Sequence, residues 1–434
     1  MTLAILLFIT IFVSLIYGLL NQTNRYSKRN TTVHIIVLGR ADQSPRTVQH
    51  AIAIAQQHYD VCLIAYGRCP DRLPDNVVFR QIKNMPFVVK FRTLHYACTL
   101  LWLSKEIILT YLSETCPPFI TIVQNPPGLP ILPISFIYCK LVGSLLVMDW
   151  HNYGSSILSL KLGSEQNWKV QLYWYIELLF GILCDLNLCV SKHMAEHLRM
   201  TADINAHVFY DRPISVNPSI ISSDEILRCE ISGVEIILPS KVNELIVVTS
   251  SSWTVDENFA TFWNALCKTG PQLSNHRSIL CIITGKGPEL KYWQNRFKSE
   301  AIENVRIITM WLHQDIYPRL LSSAEVGVCL HTSSSGVDLP MKVQDMLGAG
   351  LPVLCYDYGP CIREIADSLD IQDNDAFSLF QDSDSLSNQL TVYAKDCSKA
   401  RNGRIRIKSK YICTWQDEWN RVVYPLIKSI TKNS

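Results

Sequence analysis

The chain has 434 residues, 48% of them hydrophobic and 18% charged. That is more than one hydrophobic core normally uses, so two folded domains are expected and long disordered tails are not. A formal charge of +2 argues against a general nucleic-acid binder, which would carry a basic patch or stripe.

The first element runs from Leu3 to Leu20, LAILLFITIFVSLIYGLL, uncharged and long enough to span a bilayer. A cleaved signal peptide is the competing reading, but the basic start, the shorter core and the A-x-A-like exit that it needs are absent. Residues 1–30 are therefore expected to form a single-pass anchor with a basic flank. Arg25, Lys28 and Arg29 follow the span, which places the body in the cytosol. The sequons at Asn21 and Asn30 would then stay unmodified. The 15 cysteines are scattered through apolar runs and read as core thiols of a reducing compartment. Neither CxxC nor HExxH occurs, so no metal is expected.

From residue 31 the pattern is strand, then helix, repeated. VHIIVLGR (Val33–Arg40) precedes a helical stretch with Ser44 as N-cap and Pro45 at its first position, and DVCLIAYG follows as a second strand. This is a βαβ unit of a parallel sheet. FITIVQN, SLLVMDWHN and LNLCVS add strands, and residues 31–213 form the expected first domain. Pro86–Leu112 mixes aromatic and leucine residues with Lys90, Arg92 and Lys105, which fits a helix lying in a membrane interface or, alternatively, an ordinary core helix. Prolines, serines and acids accumulate in residues 214–245, the expected linker. Five more strand candidates, four running on into helical pattern, fill residues 246–410, and a final helix occupies 411–434. The expected class is α/β, with two doubly wound Rossmann-like domains facing a cleft in which ligands bind beyond the strands' carboxyl ends.

LHTSSSGVDLPMKVQDMLGAGLPV (Leu330–Val353) leaves one such strand end and starts a helix at or near Pro340. A helix N-terminus favours anions, so Lys342 with Ser333, Ser334 and Ser335 is suited to a diphosphate, and Asp345 to ribose hydroxyls. The same punctuation also describes a capped structural helix. In ITGKGPEL, Gly285, Lys286 and Gly287 form a turn that either lines a nucleotide or only joins strand to helix. DWHNYG ends a strand with Asp149, His151 and Asn152. Histidine is suited to proton transfer near neutral pH, so His151 is the first candidate base, with Asp149 as its orienter or as the base itself. Asp256 and Glu257 rank lower.

Taken in order, NPPGLP, DWHNYGSSIL, LNLCVS, YDRP, SSSWTVDENF, ITGKGPEL and the Leu330–Val353 stretch resemble the chitobiosyldiphosphodolichol β-mannosyltransferase family. The resemblance implies a GT-B fold and transfer of mannose from GDP-mannose, with inversion and in β-1,4 linkage, to GlcNAc2-diphosphodolichol at the cytosolic face of the ER membrane. It needs no metal or cofactor and implies other ER mannosyltransferases as further partners. Donor contacts are then expected from Gly285, Lys286, Gly287, Ser334, Ser335, Gly336, Asp338, Leu339, Pro340, Met341, Lys342 and Asp345, and acceptor contacts from Asn152, Tyr153, Ser44 and Arg46. Some positions depart from the family. Arg40 stands where an acid is usual, no His-Pro segment lies between Gly163 and Tyr173, and IADSLDIQDNDAFSLF replaces an Asn-Gly turn. An Ex7E pair is absent, as suits an inverting enzyme. A catalytically silent scaffold and a transferase for another nucleotide sugar and polyprenyl lipid are the alternatives.

Overall fold

Runs such as Val33–Val37, Val61–Ala65 and Ile120–Val123 are apolar at nearly every position, and strands of this kind are stable where helices cover both faces of a sheet. The computed structural model describes residues 31–433, apart from 72, 115, 222–225, 229–234, 238–242, 255, 314, 370–374 and 411–412. It divides into two units, with the boundary between Phe209 and Tyr210. The expected anchor, Leu3–Leu20, lies outside the described residues. Among those that are described, no helix is long and apolar enough to cross a membrane.

The first unit is built on β1 (Thr32–Arg40), β2 (Asp60–Tyr66), β3 (Val77–Gln81), β4 (Ile120–Asn125), β5 (Leu145–Trp150), β6 (Leu186–Cys189) and β7 (Ala206–Val208). All pair in parallel, in the order β3-β2-β1-β4-β5-β6-β7, with Ile35 opposite both Leu63 and Ile122 at the centre. Its helices are α1 (Pro45–Gln56), α2 (Arg92–Ser113), α3 (Ile131–Val142), α4 (Gly154–Leu162), α5 (Trp168–Leu183) and α6 (Lys192–Ala202). Pro45 opens α1, where its missing N–H costs nothing, and Gly143 and Gly163 end α3 and α4 in the left-handed conformation. The chain builds leftward from β1 and then returns to its other side. The sheet therefore has a switch point between β1 and β4, beside which the loops after β4 and β5 emerge.

The second unit carries a short antiparallel pair, β8 (Ile226–Arg228) and β9 (Glu235–Ile237), and a six-stranded sheet. That sheet contains β10 (Glu244–Ser250), β11 (Ser278–Thr284), β12 (Val305–Met310), β13 (Val326–Cys329), β14 (Val353–Tyr356) and β15 (Phe377–Phe380). Its strands are parallel, in the order β12-β11-β10-β13-β14-β15. The helices are α7 (Phe259–Thr269), α8 (Leu290–Ser299), α9 (Tyr317–Ser323), α10 (Met341–Gly348), α11 (Pro360–Leu369), α12 (Ser383–Lys395), α13 (Cys397–Lys410) and α14 (Trp415–Asn433). Stacked Trp253 and Phe259 rings, 4.6 Å apart, anchor one face of its core.

Five strands escape the sequence pattern: β3, β7 and β15, which are sheet edges of three to five residues, and the three-residue β8 and β9 within the expected linker, all too short to read as buried runs. The segment expected to begin the linker is in part built into the second unit. Asn217 N donates to Gly348 O (2.7 Å), Ile221 N to Ser323 Oγ (2.8 Å), and Trp415 N, at the start of α14, to Pro213 O (2.8 Å). The cysteines within strands, Cys62, Cys189, Cys281, Cys329 and Cys355, are buried free thiols.

Within this unit the buried Tyr210 hydroxyl donates to Glu364 Oε1 on α11 (2.6 Å). Tyr210→Phe is expected to lower the unfolding free energy by about 1–3 kcal/mol, because a buried acceptor loses a donor. Equilibrium chemical denaturation measures this, and an unchanged midpoint would show that the bond does not hold α11.

Candidate functional site

In the first unit the loop DWHNYG is organised by two buried carboxylates. Asp149, at the end of β5, is 2% exposed and receives both arms of the Arg46 guanidinium, Nε at 2.8 Å and Nη2 at 2.7 Å. Arg46 also donates Nη1 to Phe209 O (3.0 Å) and lies over the Phe209 ring. The His50 and His151 Nε2 atoms lie 3.4 and 3.0 Å from Asp149 Oδ2. Burial pushes the Asp149 carboxyl up, but Arg46 and His151 outweigh it, and the carboxyl sits well below the usual range. Asp149 is therefore a fixed anion, with little basicity to offer as a general base. Of the two roles expected for it, the geometry fits the orienter: a His151 that donates Nε2–H to Asp149 carries its lone pair on Nδ1. His151 is itself partly exposed, 18% by side chain.

The second carboxylate is Glu177 on α5, fully buried. It accepts from Gly154 N (2.7 Å), Ser155 N (3.0 Å) and Asn125 Nδ2 (2.7 Å). The amide groups that open α4 thus already hold an anion. Tyr173, one turn earlier on α5, accepts from Gly128 N at 2.8 Å, so α5 fixes the loops after both β4 and β5.

The expected acceptor contacts divide. Arg46 is 1% exposed and committed to Asp149 and Phe209, which corrects its reading as a ligand contact: so buried a guanidinium serves the interior. Tyr153 is also buried, packed on Trp150 and Trp174 with its hydroxyl 2.8 Å from His197 Nδ1, and it too belongs to the core. Asn152 Oδ1 accepts from Tyr153 N at 2.7 Å, a bond within its own loop. Ser44 precedes Pro45, and its side chain makes no capping bond. Arg40 pairs with Asp42 at 2.8 Å on the surface.

In the second unit the carboxyl ends of β10, β11 and β12 border a hollow of about 210 Å³ lined by Ser250, Ser251, Thr284, Gly285, Trp311 and Lys342, among others. Gly285 and Gly287 are required by close approach: a Cβ would lie 1.8 Å from Ser251 O and 1.7 Å from Ser252 O, and Gly285 has φ of +128°. Lys286 Nζ sits 3.8 Å from the centroid of the Trp311 ring. Tyr317 OH meets Ser250 Oγ at 2.8 Å on the same wall.

Beside it the loop after β13 folds around Asp338. That carboxylate accepts from Ser333 Oγ and from Ser335 Oγ (3.0 Å) and faces His331 Nε2 at 3.0 Å, while Gly336 N donates to Ser333 Oγ (2.8 Å). Burial alone would push His331 down, but Asp338 outweighs it and raises the imidazole. Ser334 and Leu339 lie in this loop. Pro340 is the N-cap of α10 rather than its first helical residue, which is Met341. Lys342 makes an ion pair with Glu257 and a 3.1 Å bond to Ser252 Oγ. Glu257 is 6% exposed and accepts from Ser252 N and Trp253 N, so it both sets the Ser251–Trp253 turn and requires the Lys342 charge. Asp345 lies one turn into α10, where burial and then Asp211 push its carboxyl up to about 7.

Glu257, ranked low from sequence, is thus a principal organiser here. His331, Trp311 and Tyr317 were not singled out. The available signal was position alone, since His331 and Trp311 each directly follow an apolar strand run. Outside these loops, His34, Cys62 and Glu114 bring one potential metal-ligand atom each within 4.8 Å of one another, near the starts of β1 and β2. Glu114 is occupied there by Arg80 at 2.6 Å.

No protein-family model matches the chain. It is 31% identical over 453 residues to the human chitobiosyldiphosphodolichol beta-mannosyltransferase, covering 94% of this chain and 96% of the relative. To the Arabidopsis thaliana protein named UDP-glycosyltransferase TURAN it is 32% identical over 460 residues, covering 91% and 97%. Among solved structures, a glycosyltransferase from Rickettsia africae superposes with a TM-score of 0.57 at 13% identity, covering 94% of this chain and all of that one.

Two outcomes are expected. Arg46→Met should cost about 3–5 kcal/mol in chemical denaturation, since it strands a buried carboxylate, and adding Asp149→Leu should recover part of that loss. A cost below about 1 kcal/mol would sink this account of the loop. The second concerns pH. A carboxyl raised from 3.8 to about 7 contributes stability that is complete below its ordinary value and lost as pH rises through 7. Wild type should therefore lose more stability than Asp345→Asn between pH 5 and pH 8. Parallel losses would mean that Asp345 is not perturbed.

Proposed function

The chain belongs to the chitobiosyldiphosphodolichol β-mannosyltransferase family, and on that premise we propose that it transfers mannose from GDP-mannose, with inversion, to GlcNAc2-diphosphodolichol. It is a glycosyltransferase of GT-B fold. The observation that carries the reading is the likeness to the human relative over 94% of this chain. A piece of a shared fold would not match end to end at that level.

The residues supply a division of labour. In the second unit, the hollow beside Gly285–Gly287 and Trp311 takes the nucleoside, the loop from Ser333 to Met341 faces the diphosphate, and Asp345 accepts from ribose hydroxyls. Lys342 faces the phosphates while it remains paired with Glu257. In the first unit, His151 takes the proton of the attacking GlcNAc hydroxyl on Nδ1, and Asp149 stabilises the imidazolium that forms. Charge building on the leaving diphosphate is met by amides and Lys342, with no metal or other cofactor. Leu3–Leu20 anchors the chain in the ER membrane with its body in the cytosol, beside the lipid-linked acceptor and other ER mannosyltransferases.

A second reading, a transferase for another nucleotide sugar, is favoured by the name of the Arabidopsis relative. One assay separates the readings. Purified protein is given labelled GDP-mannose and a GlcNAc2-diphosphate-phytanyl acceptor, with GDP or UDP as competitor. Transfer inhibited by GDP and not by UDP is expected. His151→Ala should lower kcat by about 10²–10⁴ with GDP binding retained, and Asp345→Ala should weaken GDP binding. UDP inhibition would favour the second reading, and GDP binding without any transfer would point to a silent scaffold.

A further inference from the structure

Helix α5 is apolar on two opposite sides. Its inner side, with Val170, Leu178 and Gly181, is buried. Its outer side carries Trp168, Leu172, Tyr175, Leu179 and Ile182, each between 49% and 68% exposed. At 100° per residue these spacings of 4, 3, 4 and 3 fall on one stripe, about 21 Å long. Exposed apolar residues scattered singly need no explanation, but a continuous stripe of five does.

Neighbouring helices extend it. Leu160 and Leu162 at the end of α4 are exposed, and α4 packs on α5. On the other side α3 packs between α5 and α2, whose Leu94, Leu100 and Leu109 are also exposed. The crossovers from β3 through β6 run in one direction, so right-handed connections put all these helices on one face of the sheet.

We propose that this face of the first unit, centred on the outer stripe of α5, docks on an anionic bilayer surface as a contact separate from Leu3–Leu20. The chemistry of the stripe selects the occupant. Trp168 and Tyr175 are side chains that favour the headgroup boundary, and the exposed Lys161 and Lys169 flank the stripe's start. The one acid within α5, Glu177, is turned inward; the exposed acids at its two ends are Glu165 and Asp185, and Asp185 is paired with Lys140 at 3.5 Å. Chain length points the same way. Residues 21–31 separate the apolar stretch from β1, and eleven residues reach at most about 40 Å. A bilayer holding Leu3–Leu20 therefore lies near the first unit. The inner side of the same helix carries Tyr173 and Glu177, which hold the loops after β4 and β5. Lipid against the outer side would then sit about one helix diameter, 10–12 Å, from the proposed acceptor loops.

The inference deepens the membrane reading above, but its test does not depend on transfer. The full chain is reconstituted in phosphatidylcholine vesicles, with or without phosphatidylserine, containing a diazirine-bearing phospholipid. Irradiated protein is digested and adducts are mapped by mass spectrometry. Lipid adducts within 160–183, in addition to those within 1–30, are expected, and phosphatidylserine should increase them. Leu172→Glu with Leu179→Glu should abolish the first set and spare the second, with the denaturation midpoint unchanged. Wild-type adducts confined to 1–30, or copy-to-copy crosslinks at α5 in their place, would overturn the proposal. Equal labelling in both vesicle types would overturn its electrostatic part.

Discussion

A carboxylate carried into a protein interior must be met by hydrogen bonds or an opposite charge, or it costs more than the fold can supply. In both units that constraint shapes the strand ends. Asp149 is met by Arg46, Glu177 by three N–H donors, and Glu257 by backbone amides together with Lys342. Each of these acids orders a loop at the carboxyl end of a parallel sheet, where α/β proteins place their ligands. The loops carrying His151 and Ser252 would otherwise be short irregular segments with little to fix them.

The consequence is that several polar residues in ligand-like motifs belong to the protein's own interior. Arg46 and Tyr153 are spent on Asp149 and His197, whereas His151 keeps part of its ring at the surface. A motif records that residues must occur together, and either a ligand or a buried partner can impose that. Arg46 and Asp149 are 103 positions apart, so nothing in their local spacing reveals that one neutralises the other.

The alternating architecture was legible because central parallel strands are buried on both faces and read as unbroken apolar runs. β1, β4, β10 and β11 are of this kind. The turn at Gly285–Gly287 was legible too, since two glycines around one lysine after such a run mark a close backbone approach. Edge strands were not, because β3 and β7 expose alternate residues and are brief. Nor was the role of Glu257. Its partner Lys342 lies 85 residues away, and an acid in a polar loop ordinarily reads as solvated.

The strand order has a meaning for assembly that the site does not exhaust. β1 and β10, the first strands of their seven- and six-membered sheets to be synthesised, lie inside those sheets, and later strands are added outward. A chain ending prematurely after Tyr356 would keep both neighbours of β10 and would lack only β15 at the rim. Such a truncation would bare the core face that α12 covers, where Leu386, Leu390 and Tyr393 pack with residues of α7 and β10, and would leave β14 as an open edge able to pair with other chains. Shortened forms of this protein are thus threatened both by an uncovered core and by self-association along a newly bared border.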